Sequence, residues 1–313
     1  MTPIIRHLRT SETDVRDRLL QEALRPSELR FSIGDEYPLV LSQSALRYSL
    51  GCFINDRLVA HASVVPRPLV RFGAIQPQSV LLVGNVATVP EYRGQGIMRK
   101  LLDDAVTQSQ SQKAAGVILW SDLDAFYDKL GFRPMGRETR RLIAPEHTKN
   151  LSDALAPPCD PEFVPFNLVT DSLCRQLLQL RPSLPVTIDR NVAMFKELLS
   201  IPDTVLMISR GTDRSPTAFY ILGKGYDLIG VMHEWGAKTP HHLASLIKWS
   251  QIKFQLPELM LLIPHALRES WGSHPSLRGK DSEHHMALWH PNPCSSLSDD
   301  DVENFFIWGL DSI

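Results

Sequence analysis

Val83-Gly84-Asn85-Val86-Ala87-Thr88-Val89-Pro90-Glu91-Tyr92-Arg93-Gly94-Gln95-Gly96-Ile97-Met98-Arg99-Lys100-Leu101-Leu102 passes from a β-branched strand through a glycine turn into a helix. The helix is predicted because Ile97, Met98, Leu101, Leu102, Ala105 and Val106 share one face at helical spacing, with Gly116 as its C-terminal stop. Val117-Ile118-Leu119-Trp120 follows as an apolar run suited to a buried strand. Together they predict a βαβ unit with a right-handed crossover. Gly94 and Gly96 at the helix opening gather unpaired backbone N–H groups and the positive end of the helix dipole at one point, which is how a chain binds phosphate. A Walker loop needs GxxxxGK[ST], which is absent, and a dinucleotide fingerprint needs a third glycine where Arg99 stands.

The residues that are present resemble the pyrophosphate loop of the GNAT acetyltransferases, whose pattern is Arg or Gln, two residues, Gly, one residue, then Gly or Ala. It reads here Arg93-Gly94-Gln95-Gly96-Ile97-Met98, after Val-Ala-Thr-Val-Pro-Glu-Tyr; Met98 departs from the small residue usual at the end. Downstream, Ala125-Phe126-Tyr127-Asp128-Lys129-Leu130-Gly131-Phe132 resembles the family's FYxxxGF signature. The resemblance is close over 80–137 and looser before it. It implies a mixed α/β (α+β) fold with a splayed central sheet and flanking helices.

It also implies acetyl-CoA as co-substrate. The pantetheine arm would lie in the gap between the two splayed strands, against the main chain of Val86, Ala87 and Thr88, and the amides from Arg93 through Gly94, Gln95, Gly96, Ile97 and Met98 to Arg99 would hold the pyrophosphate. Arg99 or Lys100 could meet a further phosphate or form a solvated helix face. An amine attacks the thioester, and because a thiol's pKa is near ~8.5, a weak acid helps the thiolate leave. Tyr127 resembles the tyrosine that serves; packing against Phe126 and Phe132 is its alternative. For a general base, Glu36 in Asp35-Glu36-Tyr37-Pro38 falls in a region that lines the acceptor site in this family, or is an exposed loop carboxylate. Asn85 and Asp122 could orient the acceptor or a water. Some relatives use a terminal carboxylate, which makes Ile313 a candidate; the apolar tail over 305–313 reads as a strand.

Working outward, 6–23 reads as a polar approach to a helix, 41–49 as a second helix, and 52–54 with 57–65 as strands joined by the hairpin residues Asn55-Asp56. Pro145, Pro157, Pro158, Pro161 and Pro165 interrupt any apolar period, so a boundary belongs there. The expected organisation is a GNAT domain over 1–145, a Pro-rich linker over 146–165, and a second, degenerate GNAT-like α/β domain over 166–313. Strands over 204–209, 218–222 and 227–235, a helix over 240–254 and a strand over 259–263 repeat the order seen before. The corresponding turn, Gly236-Ala237-Lys238-Thr239-Pro240, has one glycine and a proline without an N–H, so a phosphate cradle is not expected there.

At 313 residues, with 33 Lys plus Arg against 35 Asp plus Glu, the chain has no overall field for nucleic acid or anionic membrane. No run approaches the ~18 apolar residues of a membrane span, and Arg6 and His7 break the start. Four scattered cysteines suit the reducing cytoplasm. The 11 histidines lack HExxH spacing, so no metal is expected. The sequence thus predicts a cytoplasmic acetyltransferase that moves acetyl from acetyl-CoA to a small-molecule or peptide amine, with the second domain covering the site, selecting the acceptor or making a homodimer contact. A tandem acyl or aminoacyl transferase and a non-catalytic CoA-binding module are the alternatives.

Overall fold

Asn55 and Asp56 both take left-handed backbone angles (φ 51° and 59°), as a two-residue hairpin turn requires, and they join β2 (Ser49–Ile54) to β3 (Arg57–Arg71). The computed structural model describes residues 3–73 and 78–313; Met1 and Thr2, at the head of the expected first domain, lie outside the described residues. β1 (Ile4–His7) adds outside β2, and β4 (Gln78–Thr88) pairs antiparallel with β3. The helix Ile97–Ser111 then returns the chain to β5 (Gly116–Leu119), parallel to β4. Its face of Ile97, Leu101, Leu102 and Ala105 is buried against these strands. The opposite face of the sheet is covered by the helix Thr13–Leu24 through Leu19 and Leu20.

β6 (Arg133–Ile143) precedes β7 (Glu162–Val164), β8 (Val186–Ile188), β9 (Val205–Arg210), β10 (Pro216–Leu222) and β11 (Val231–Ala237). The helix Pro240–Phe254 leads to β12 (Leu259–Pro264), and β13 (Lys280–Pro291) follows. The strands form one sheet in the order β1-β2-β3-β4-β5-β13-β6-β12-β11-β10-β9-β7, with β8 on β3. Each half therefore has four antiparallel strands, a parallel neighbour reached through a helix, and then an antiparallel strand lent by the other half: β13 beside β5, and β6 beside β12. β6 and β13 pair along the middle, so the 146–165 segment leads away from a strand already committed to both halves. No helix among the described residues is long and apolar enough to cross a membrane.

Three local expectations are corrected. The helix stops at Ser111, with Lys113 in the left-handed turn (φ 54°), and not at Gly116. Gly116 is a strand residue whose missing Cβ makes room for the His290 carbonyl of β13. The expected helix over 41–49 divides into Pro38–Leu41 and a 3₁₀ stretch, Gln43–Tyr48, because Ser42 between them is extended (ψ 161°). The tail is not a strand. Phe305 makes a single bridge to Val186, Gly309–Asp311 is a 3₁₀ turn, and Phe305, Phe306, Ile307, Trp308 and Leu310 are all buried. The carbonyls of Gly309 and Ser312 accept from the Lys224 ammonium and so have no need of a ladder.

Candidate active site

Gly94 (φ 74°) and Gly96 (φ 73°) occupy backbone angles that L side chains resist, and a Cβ on either would point into open space. They are glycines for conformation and access, with packing playing no part. Gly96 caps the helix Ile97–Ser111, whose first N–H groups have no intrahelical partner. The loop is braced from behind: Arg93 Nε donates to the Thr88 carbonyl at 3.1 Å and Gln95 Nε2 to the Glu91 carbonyl at 3.1 Å. Gly94, Gly96, Ile97, Met98 and Arg99 border a cavity of about 400 Å³. Arg99 is exposed, 3.9 Å from Asp103, and free to swing toward a bound anion.

β4 and β5 stay paired only from Leu81, Leu82 and Val83 to Val117, Ile118 and Leu119. β5 then ends, while β4 continues through a bulge at Asn85 (φ 49°), where its register on β3 slips between His61 and Ser63. His61 Nδ1–H donates to the Asn85 carbonyl at 2.9 Å and fixes the bulge. The opening left between the strands is a cleft of about 630 Å³. Val86, Ala87, Thr88, Arg93 and Met98 line it with Tyr127 and Ile313, so these expected site residues meet in one place. Gln95 lines neither cavity, and Asp122 is exposed and outside the lining.

Tyr127 sits on the short helix Asp124–Asp128, edge-on to Phe126 (5.1 Å) and Phe132 (5.7 Å). Burial raises its phenol pKa, opposed by a hydrogen bond with Ser121, another cleft residue. Ring packing and a cleft-facing hydroxyl thus coexist. The side chain of Asn85, 7% exposed, also lines the cleft, and its Nδ2 has no partner.

Glu36 is no exposed loop carboxylate; it is 1% exposed at the end of the short helix Ile33–Glu36. One oxygen accepts from Arg25 Nε at 2.5 Å and the other from the Tyr226 N–H at 2.6 Å. These partners lie 11 and 190 positions away, which is why local sequence does not reveal them. Both oxygens being taken, Glu36 serves as a wall of a third pocket, about 220 Å³, and not as a free base. That pocket meets the cleft at Tyr37 and Ile313, the two residues common to both linings. Ile313 is held there by the tail before it. Asp311 is paired with Arg67 (2.6 Å) and Arg190 (2.7 Å), and Lys224 binds the Gly309 and Ser312 carbonyls. Sequence pattern gives no sign of Lys224, Arg190 or Tyr37, because each is defined by distant partners.

The C-terminal half contains the corresponding divergence. β11 and β12 pair only at Val231 with Met260 and Met232 with Leu261. Beyond that point, Trp235, fully buried, donates its indole N–H to the Leu262 carbonyl at 2.8 Å and packs on Trp271 and Trp308, with centroids 5.0 and 5.6 Å away. Where the first half opens, the second is filled. Among the described residues, no group of three or more His, Cys, Asp or Glu is placed to hold a metal.

Residues 5–135 match the family model of the acetyltransferase (GNAT) domain. The chain carries a GNAT acetyltransferase domain. Solved structures agree on the fold. A probable N-acyltransferase of unknown function from Enterococcus faecalis superposes with a TM-score of 0.66 at 15% identity, over 92% of this chain and 72% of that one. A GCN5-related N-acetyltransferase from Anabaena variabilis gives 0.63 at 14%, over 92% and 72%. Saccharomyces cerevisiae N-myristoyltransferase with bound myristoyl-CoA gives 0.55 at 9%, over 97% and 84%. Among curated proteins none matches. The GNAT domain makes this an acyltransferase, and its mixed sheet with flanking helices is the architecture the glycine loop and FYxxxGF signature imply.

Proposed function

We propose that the protein transfers an acetyl group from acetyl-CoA to an amine, with one CoA bound by the GNAT domain and the acceptor held between the two halves. The observation that carries this is the run of three adjoining spaces. The glycine-loop cavity shares Arg93 and Met98 with the splayed cleft, and the cleft shares Tyr37 and Ile313 with the third pocket. Cofactor and acceptor would thus enter from opposite ends and meet beside Tyr127, Asn85 and Ile313.

Acetyl-CoA supplies a thioester carbonyl and a thiolate leaving group. The free amides from Gly94 to Arg99 bind the pyrophosphate, and Val86, Ala87 and Thr88 hold the pantetheine arm. Asn85 offers its unpaired amide hydrogen at the bulge. Where Ile313 ends the chain, its carboxylate takes the proton from the attacking amine, a task for which Glu36 has no free oxygen. Tyr127 holds its proton at neutral pH, as a phenol of ordinary pKa ~10 does and as burial reinforces, so it is placed to give that proton to the departing sulfur. The second half, a degenerate copy of the frame, supplies Lys224, Asp311 and the tail. The site is complete within one chain, and four free cysteines suit the cytoplasm.

Thiol release from acetyl-CoA with a panel of primary amines tests this. Amine-dependent release supports it, and longer acyl-CoA donors in the same assay compare an acyl transferase of wider scope. CoA binding without release under any amine would make the protein a CoA-binding module.

A further inference from the structure

The turn between β10 and β11 brings a carboxylate of the second half to the cleft. Gly225 (φ 53°) has the Glu36 side chain where its Cβ would be, and the next N–H, of Tyr226, donates to Glu36 at 2.6 Å, so the turn is pressed onto the first half. Asp227 follows. Among the described residues it is the one Asp or Glu that lines the cleft. Its Oδ2 accepts from the Tyr37 hydroxyl and from Arg25 Nη2 at 2.9 Å, two side chains of the same lining. Its Oδ1 has no donor among the described residues, and the side chain is 40% exposed.

The cations nearby do not use up that oxygen. Arg25 is shared: Nε serves Glu36, which is buried with both oxygens taken, and Nη1 serves the Leu24 carbonyl, which leaves Nη2 for Asp227. The Lys224 ammonium feels Asp227, Asp311 and Glu36 together, but its three hydrogens go to the Gly309 carbonyl and to the carbonyl and hydroxyl of Ser312. Arg93, the other cation of the lining, turns its Nε to the Thr88 carbonyl.

We infer that Asp227 is the acceptor-binding residue, its Oδ1 holding the amine in its ammonium form as it enters the cleft. This rests on the acetyltransferase reading above. An alkylamine, with an ordinary pKa of ~10.4 like that of lysine, arrives charged at neutral pH and gives Oδ1 a charge-assisted hydrogen bond, roughly twice as strong as a neutral one. An arylamine arrives uncharged and gains less. The charge that Asp227 reads is that of the reacting amine, whether the acceptor carries one amine or several.

The test uses the full chain with acetyl-CoA and two isomers, 2-phenylethylamine, an alkylamine, and 4-ethylaniline, an arylamine. Each is measured by thiol release as a KM, or as a Ki against the fastest amine of the panel where its own turnover is slow. Asp227→Asn keeps the shape and an oxygen for Tyr37 and Arg25 while removing the charge. It should raise the value for 2-phenylethylamine at least tenfold, with kcat, CoA affinity and the value for 4-ethylaniline each within about threefold. An equal rise for both isomers would make Asp227 a structural prop for Arg25 and Tyr37, and an unchanged value for 2-phenylethylamine would take it out of acceptor binding. Either result overturns the inference while leaving acetyl transfer in place. Release with no amine at all overturns the acetyltransferase reading itself, and this inference with it.

Discussion

Gly84 and Ile313 are packed backbone against backbone: a Cβ built on Gly84 would overlap the carbonyl carbon and oxygen of Ile313. The missing side chain in β4 is what lets the tail lie across the cleft, one residue before the Asn85 bulge. Gly84→Ala should therefore lift the tail while leaving the glycine loop untouched. We expect turnover to fall at least tenfold with CoA affinity within about twofold, measured by thiol release and calorimetry. Wild-type turnover in this variant would remove Ile313 from the chemistry.

Gly96→Val tests the other end of the cleft. A β-branched residue resists φ 73° and puts methyl groups where pyrophosphate would approach the amides. CoA affinity should drop at least tenfold, about 1.4 kcal/mol. Calorimetry on a variant whose melting is still cooperative decides it; unchanged affinity would mean the loop holds no phosphate.

Tyr127→Phe separates the two roles of that side chain. The ring contacts with Phe126 and Phe132 survive, and only the hydroxyl near Ser121 is lost. General acid assistance is commonly worth ~10²- to 10⁴-fold, so turnover should fall on that scale with stability nearly unchanged. A variant as fast as the parent, with chemistry limiting, would leave Tyr127 as a packing residue.

What could be read from the sequence was what is local. The glycine turn, the FYxxxGF signature and the Asn55-Asp56 hairpin each lie within a few residues, and the helix Pro240–Phe254 begins and ends where its apolar period does. β13 could not be read, because its first half is polar and exposed, and its place between β5 and β6 is set by partner strands about 140 positions or more away. The same applies to Glu36. Its sequence neighbours suggest a surface loop, and only Arg25 and Tyr226 explain its burial. The tail misled for a related reason: an apolar run suits a strand, but here its side chains are buried in two clusters while its backbone makes a single bridge, at Phe305.

Two buried histidines make the stability of the fold fall in acid. Burial lowers His61 to about 4 and His233 to about 3, helped by Arg16 near the first and by Lys224 and Arg190 near the second. Each uses one nitrogen, to the Asn85 and Gly223 carbonyls, while the other, His61 Nε2 or His233 Nδ1, has no partner to receive a proton's N–H. Between the unfolded value of about 6.5 and these lowered values, the unfolded chain binds more protons than the folded one. The two histidines' contribution to stability is thus full above about pH 6.5 and declines as pH falls toward 4 and then 3. Urea unfolding at pH 7 and pH 5 should show it, and His61→Gln should flatten part of the slope. Equal stability at both pH values would contradict the buried neutral assignment.

The contrast between the two divergences of the sheet predicts the stoichiometry of cofactor binding. In the GNAT domain, β4 and β5 part around an open cleft that leads to a helix start with two glycines. In the other half, β11 and β12 part around Trp235, and the helix there begins with Pro240, which has no N–H to offer an anion. Gly236, the one glycine of that turn, lies inside β11, where a Cβ would overlap the Leu180 carbonyl; it serves close packing. A second CoA would have to displace a fully buried indole and would find fewer amides on arrival. Titration should therefore give one CoA per chain. Trp235→Ala should destabilise the fold by about 3–5 kcal/mol, as large buried aromatics do when truncated, without creating a second site. Two equivalents bound to the unaltered chain would show that the tryptophan cluster does not close the second frame, and would overturn the division of labour between the halves.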